Sequence, residues 1–249
     1  KQGVLESFDK NSPNTPNFKD MYPQMVREHW VTCYFSALGI TYNRSLKNPP
    51  TSWADLWRPE FKGRIVIPDV AHTIGLYPVV IGALAQGKPA TDAEVGFDML
   101  KKLADLRPIV AKDTDTIMNS LQSGEAQVGL LYKSQTYSIQ DKGAQVDWVF
   151  PKEGAIEISW GYGIAKNSKH REWAERWINL AMDPKVQPYF TSWGNYPGSN
   201  PKMLANLEPK YKERAFFSDE QLKKMVILDH EFMSDRRAEW TERWNRVMA

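Results

Sequence analysis

AQVDWVFPKEGAIEISWGYGIAKN, residues 144–167, is the stretch on which the fold turns. Two apolar, β-rich runs flank the turn-forming segment Pro151–Gly154. Val146, Trp148 and Phe150 alternate with Asp147 and Val149. Beyond the turn, Ile156, Ile158, Trp160, Tyr162 and Ile164 share one face, and Glu157, Ser159, Gly161 and Gly163 share the other. The second run is long for a strand. Two glycines beside two large aromatic residues suit a chain that bends while passing close to another backbone or a ligand. The expectation is a strand crossing between two lobes.

Working outward, HWVTCYFSALGITYN (29–43) has the same character: long, rich in β-branched and aromatic residues, and carrying small residues at Ser36, Ala37 and Gly39. It is the natural second crossing. Between the two, NPPTSWADLWRPEFKG (48–63) predicts a short helix with Ser52 as N-cap. RIVIPD (64–69) predicts a buried strand. AHTIGLYPVVIGALAQG (71–87) predicts a helix whose N-terminus lies near Ala71–Thr73 and which Pro78 delays or kinks. Thr91 with Glu94 forms a capping box for a further helix. A helix over about 115–123, closed by Gly124, precedes the strand AQVGLLY (126–132), and a short helix follows from Lys133. Strands alternating with helices imply an α/β lobe with a largely parallel sheet. Farther on, KHREWAERWINLAMDP (169–184) places Trp173, Trp177 and Leu180 on one helical stripe. Residues 218–248 place Trp240 and Trp244 four apart. Both stripes are expected to be packing surfaces.

Composition narrows the class. The chain has 249 residues, 42% hydrophobic and 25% charged, with 32 basic against 30 acidic side chains. No run of Lys or Arg is interleaved with aromatics, so nucleic acid is not an expected partner. No apolar stretch approaches the roughly 18 residues needed to span a bilayer. A single cysteine, Cys33, forbids an internal disulfide, and the four histidines show no metal-ligand spacing, so neither a metal nor another cofactor is expected. Ten tryptophans are ample for a cleft that grips a small organic ligand.

Four phrases, in order, carry a family resemblance: PPTSWADLWRPEFKGRIVIPD (49–69), LQSGEAQVGLLY (121–132), VDWVFPKEGAIEISWGYGIAKNSKH (146–170) and WINLAMDPKVQPYFTSWGNYPGSNPKML (177–204). Together they resemble the extracellular solute-binding proteins of ABC importers, in the group holding the spermidine/putrescine-type and ferric-type binding proteins. The resemblance implies an α/β, two-lobed, type II periplasmic-binding-protein fold with hinge strands crossing between lobes and closing on a ligand in the cleft. It implies a monomeric, periplasmic, exported receptor that hands its ligand to the transmembrane subunits of an ABC permease, and no enzymatic activity. By this reading residues 1–33 and 160–203 belong to the first lobe, 34–159 and 204–249 to the second, and the opening βαβαβ of the first lobe is not represented.

The expected ligand-binding set is Tyr34, Phe35, Ser36, His72, Thr73, Tyr132, Lys133, Trp160 and Gly161. Set against polyamine binders, which the resemblance implies hold amines with carboxylates and aromatic walls, the walls remain but the acids do not. Val70 and Thr73 stand where two acids are expected, and Trp160 replaces a third. Two expected helix N-termini, at 71–73 and 133–135, favour an anion. A carboxylate-, phosphonate- or phosphate-bearing anion or zwitterion is therefore the expected solute. Tyr34, Phe35, Tyr132 and Trp160 would serve as walls, although Tyr34 and Phe35 point to opposite strand faces. The alternatives are a polyamine or ferric ligand, although Tyr132 is followed by Lys133 rather than by the second tyrosine of a ferric pair. A further alternative is an enzyme similar to thiamine-degrading enzymes, with Cys33 as nucleophile and Glu157 as base.

Overall fold

The structure is a computed structural model and describes residues 3–249. The chain runs through β1 (Val31–Asn43), β2 (Ile65–Pro68), α1 (Tyr77–Ala85), α2 (Ala93–Ala104), β3 (Ile109–Ala111), α3 (Thr114–Ser123) and β4 (Val128–Tyr132). Then come α4 (Lys133–Gln140), β5 (Val146–Val149) and β6 (Ile156–Tyr162). α5 (Arg171–Ala181), α6 (Pro188–Gly194), α7 (Pro209–Ala215), α8 (Asp219–Lys224) and α9 (His230–Met248) follow. Two compact units result: Lys1–Ser36 with Ile158–Ser218, and Ala37–Glu157 with Asp219–Ala249. The chain passes from one to the other inside β1, inside β6 and at Ser218. The first two passages lie on the strands expected to cross. The third lies after α7, later than the expected 203/204.

The sheet has the strand order β3-β2-β4-β1-β5, with β6 also paired to β1. β2 is parallel to β3 and β4, whereas β1 runs antiparallel to both β4 and β5, with Leu38 opposite Tyr132 and Ile40 opposite Val149. The sheet is therefore mixed rather than largely parallel, because the long entering strand opposes its neighbours. β3 was not anticipated: three residues are too few to give a periodic signal. In the second unit, Val66, Ala111, Ile117, Leu121, Leu131, Ile139 and Val146 pack as one apolar cluster between the sheet and α3 and α4. α1 is buried nearly all round and lies close against α2. A Cβ on Gly82 would strike Met99 and the Gly96 carbonyl, and one on Gly96 would strike Val79, so both positions require glycine.

Local signals explain most element ends. Ser52 caps as expected, its Oγ accepting from the Ala54 N–H at 3.1 Å and the Asp55 carboxylate accepting from the Ser52 N–H at 3.0 Å. The capped segment is a short 3-10 helix, Trp53–Trp57, which stops before Pro59; a second 3-10 turn, Pro59–Phe61, follows. Asp92, not Thr91, caps α2, its Oδ1 accepting from the Val95 N–H at 3.3 Å. α1 begins at Tyr77 and not near residue 72. Residues 69–76 form successive turns in which the Asp69 and His72 carbonyls accept from the His72 and Gly75 N–H groups, and Pro78 sits in the first helical turn, where it lacks no needed donor. The expected helix N-terminus at 71–73 is thus absent.

In the first unit, α5 buries Glu175, Ile178 and Ala181. Glu175 is 5% exposed and accepts from Ser12 Oγ and Asn14 Nδ2 at 3.0 Å and from Arg171 Nε at 3.0 Å. Burial works to raise its pKa, but these donors outweigh burial and leave it below the ordinary glutamate range. This buried carboxylate fixes which side of α5 faces inward. Trp173, Trp177 and Leu180, expected as a packing stripe, are therefore 72%, 55% and 56% exposed. The expectation holds at α9, where Trp240 and Trp244 are buried.

Trp53 is fully buried, and its Nε1–H donates to the Gly154 carbonyl at 2.8 Å. Trp53→Ala is expected to cost about 3–5 kcal/mol. Urea denaturation should show this as a lower midpoint with an unchanged slope.

Candidate functional site

The nine expected residues divide between the units. Tyr34, Phe35, Ser36, Trp160 and Gly161 lie in the first, and His72, Thr73, Tyr132 and Lys133 in the second.

In the first unit the crossing strands bring Tyr34 and Trp160 together, with ring centroids 5.4 Å apart and planes 21° from parallel. Two rings that sequence reading missed complete the group. Phe190 of α6 stacks on Tyr34 at 5.0 Å, and Tyr196 contacts both Tyr34 and Trp160 at 5.1 Å. The signal available was the phrase FTSWGNYPG (190–198), which places three aromatic residues within seven positions. Gly198 and Tyr34 form an antiparallel bridge, and the Phe35 N–H donates to the Pro197 carbonyl at 3.0 Å, so backbone pairing holds the loop beside β1. All four rings are partly buried. Gly161 allows β6 to approach β1 so closely that a Cβ there would strike the Val31 carbonyl.

Phe35 points the other way. It is 1% exposed and stacks on Phe217 at 5.6 Å, so it is a core residue of the first unit. Ser36 is fully buried where β1 leaves this unit.

In the second unit, Lys133 is the first residue of α4 and only 8% exposed. Its Nζ lies 6.0 Å from the centroid of Tyr137 and 5.9 Å from that of Trp148, within range of cation–π attraction. Tyr137 and Trp148 are further residues that the expected set lacked. Tyr132, 8% exposed, precedes the helix, and its carbonyl accepts from Thr136 Oγ1 at 3.1 Å. His72 has both ring nitrogens engaged: Nδ1 accepts from the Ile74 N–H at 3.2 Å, and Nε2 meets Thr114 Oγ1 at 3.1 Å. Burial lowers its pKa, opposed by the nearby Asp113 and Asp69 charges. These contacts make His72 a clamp between the turn after β2 and the start of α3. Thr73 is exposed beside Tyr77.

Cys33 does not resemble a nucleophile. It is fully buried, its Sγ–H points at the Ala181 carbonyl 3.7 Å away, and burial pushes its pKa up to about 12 despite a hydrogen bond with Tyr162. Glu157 lies in the other unit. Among the described residues no group of three or more His, Cys, Asp or Glu side chains could hold a metal ion. No helix among them is long and apolar enough to cross a membrane.

Comparison with known proteins identifies the family and supports the fold. Residues 1–224 match the family described as bacterial extracellular solute-binding protein, and the chain belongs to that family. The spermidine/putrescine-binding periplasmic protein of Escherichia coli K12 is 28% identical over 222 residues, which cover 84% of this chain and 62% of that protein. Among solved structures, the spermidine/putrescine substrate-binding protein of Streptococcus pneumoniae superposes with a TM-score of 0.81 at 20% identity, covering 99% of this chain and 79% of that one. The Agrobacterium tumefaciens binding protein MotA, in complex with glucopine, gives 0.75 at 21% identity, covering 99% and 78%. These likenesses establish the two-lobed α/β fold of periplasmic binding proteins. The relatives are solute-binding proteins and not enzymes, so the reading of Cys33 as a catalytic nucleophile is set aside.

With a pKa near 12, about one Cys33 thiol in ten thousand is ionised at pH 8. Labelling of the native protein by an aromatic disulfide reagent is therefore expected to be far slower than labelling in urea. Rapid native labelling would show that the thiol is accessible and activated.

Proposed function

We propose that this protein is the substrate-binding component of an ABC importer. In this reading it is exported to the periplasm, works as a monomer, and delivers a small carboxylate- or phosphonate-bearing anion or zwitterion to the permease subunits. Family membership supports the class. The observation that carries the choice of ligand is Lys133, a nearly buried ammonium at the first turn of α4 held over two aromatic faces. A lysine held at such a position offers an ammonium group to an anionic solute. In the first unit, the cluster of Tyr34, Trp160, Phe190 and Tyr196 offers apolar and π surface to a solute. Tyr132 and Thr73 in the second unit, and Gly161 in the first, would be further wall residues of their own units. His72 would shape the turn rather than touch the ligand, and Phe35 and Ser36 would support the strand from inside.

The second reading is a polyamine ligand, favoured by the similarity to the E. coli spermidine/putrescine-binding protein. The fold does not choose between the two, because a spermidine/putrescine-binding protein and a glucopine complex share it. The choice rests with side chains.

Calorimetric titration against polyamines, amino-acid derivatives and phosphonates separates these readings. Binding is expected among the carboxylates or phosphonates, and Trp160→Ala is expected to weaken it by about tenfold, the loss of roughly 1.4 kcal/mol of aromatic contact. Tight spermidine binding with no response to any anion would overturn the choice of ligand.

A further inference from the structure

A cavity of about 130 Å³ lies in the second unit, between the turn preceding α1 and the first half of α9. Leu76, Tyr77 and Met233 give it apolar surface, and Thr73, Ser234 and Arg237 bring polar groups to it. His230 also borders it, and no acidic side chain does. At roughly 30 Å³ per water, the space matches about four waters, or one carboxylate or phosphonate group with a short apolar stem.

Two of the polar groups are unused. Tyr77 is 7% exposed, yet its hydroxyl has no hydrogen-bond partner among the described residues. The hydroxyl itself reaches solvent rather than being sealed in the core, so it can donate to a bound group. Burial also pushes its pKa up to about 12, so it stays a neutral donor at physiological pH. Arg237 has no ion pair among the described residues, unlike its neighbours on α9. Arg243 forks onto Glu94 at 2.6 and 3.0 Å, Arg246 meets Glu242 at 2.8 Å, and Arg236 lies 3.9 Å above the ring of Phe232. One turn to either side of Arg237 stand Met233, Ser234, Trp240 and Thr241, so the helix gives it no acid to meet. Tyr77 and His230 are moreover the first residues of α1 and α9, so the positive ends of both helices lie at this cavity.

We propose that this cavity is an oxyanion pocket, with Arg237 as counter-ion and the hydroxyls of Tyr77, Thr73 and Ser234 as further donors. It goes beyond the anionic reading of the solute: Lys133 does not line this pocket, so Arg237 would hold an oxyanion of its own. A guanidinium with convergent hydroxyls favours carboxylate or phosphonate oxygens over any cation.

The probe is methylphosphonate, titrated at constant ionic strength into the full chain and followed by amide NMR. Saturable shifts are expected around residues 72–77 and 230–237. Arg237→Gln, on an exposed position that leaves the core intact, is expected to weaken binding at least about tenfold, as loss of a charge-assisted contact does. Tyr77→Phe keeps the ring and should weaken binding less. Arg236→Gln should bind as the parent chain does. The pocket is overturned if no shift saturates, if Arg237→Gln binds normally, or if Arg236→Gln loses as much, which would mean diffuse charge attraction. Tight spermidine binding together with Arg237-dependent methylphosphonate binding would retire the anionic solute and keep the pocket. An organic anion bound equally well by the parent chain and by Arg237→Gln, with no saturable methylphosphonate shift, would do the reverse.

Discussion

β1 must satisfy its backbone along thirteen residues while its surroundings change. In the second unit it has regular antiparallel neighbours on both edges, β4 and β5. In the first unit one edge pairs with β6, and the other is completed by irregular chain. There the Cys33 carbonyl accepts from the Ser199 N–H at 3.2 Å and from Gln187 Nε2 at 2.9 Å. Gln187 is fully buried and also accepts from the Asn200 N–H at 2.8 Å, so one side-chain amide ties β1 to the loop after α6. That loop carries Tyr196. The placement of the aromatic cluster thus depends on a strand edge that needed partners and found them in a loop.

This dependence explains what the sequence made legible. The crossing strands could be read because their alternation and length are properties of contiguous residues. The Ser52 cap and the Gly124 stop, with its φ of 80°, are likewise local. The start of α1 was not, since it depends on how Asp69 and His72 organise the turns before it. Nor was the role of the tryptophan stripes. Trp173 with Trp177 and Trp240 with Trp244 share the same spacing, yet one pair is exposed and the other buried. Periodicity identifies a face of a helix, but a distant group decides whether that face is inward, and for α5 that group is the hydrogen-bonded Glu175.

The candidate site was legible in the same uneven way. Tyr34 and Trp160 could be singled out because they stand on the crossing strands. Phe190 and Tyr196 could not, because they reach Tyr34 only through the pairing of β1 with Pro197 and Gly198. Lys133 was visible as a basic residue opening a helix. Its burial over Tyr137 and Trp148 was not, because that requires β5 to lie beside the helix. His72 shows the converse: a residue type that invites a functional reading but is occupied by its own turn and by Thr114.

Similarity to polyamine-binding proteins and a preference for anions are compatible, because the two rest on different numbers of residues. The fold is specified by dozens of buried side chains, whereas charge preference rests on a few. Where the resemblance calls for three acids this chain has Val70, Thr73 and Trp160. A hydrogen bond to a charged group contributes about 1.5–3 kcal/mol, so three such contacts amount to about 5–9 kcal/mol. At 1.4 kcal/mol per decade that is roughly three to six orders of magnitude in affinity. Contacts of this kind are not strictly additive, but the full sum exceeds the about 2–4 kcal/mol that four aromatic faces recover at about 0.5–1 kcal/mol each for an exposed cation. The proposed anion preference follows from this difference in scale: three substitutions can reverse the charge of a ligand on a backbone they leave unchanged.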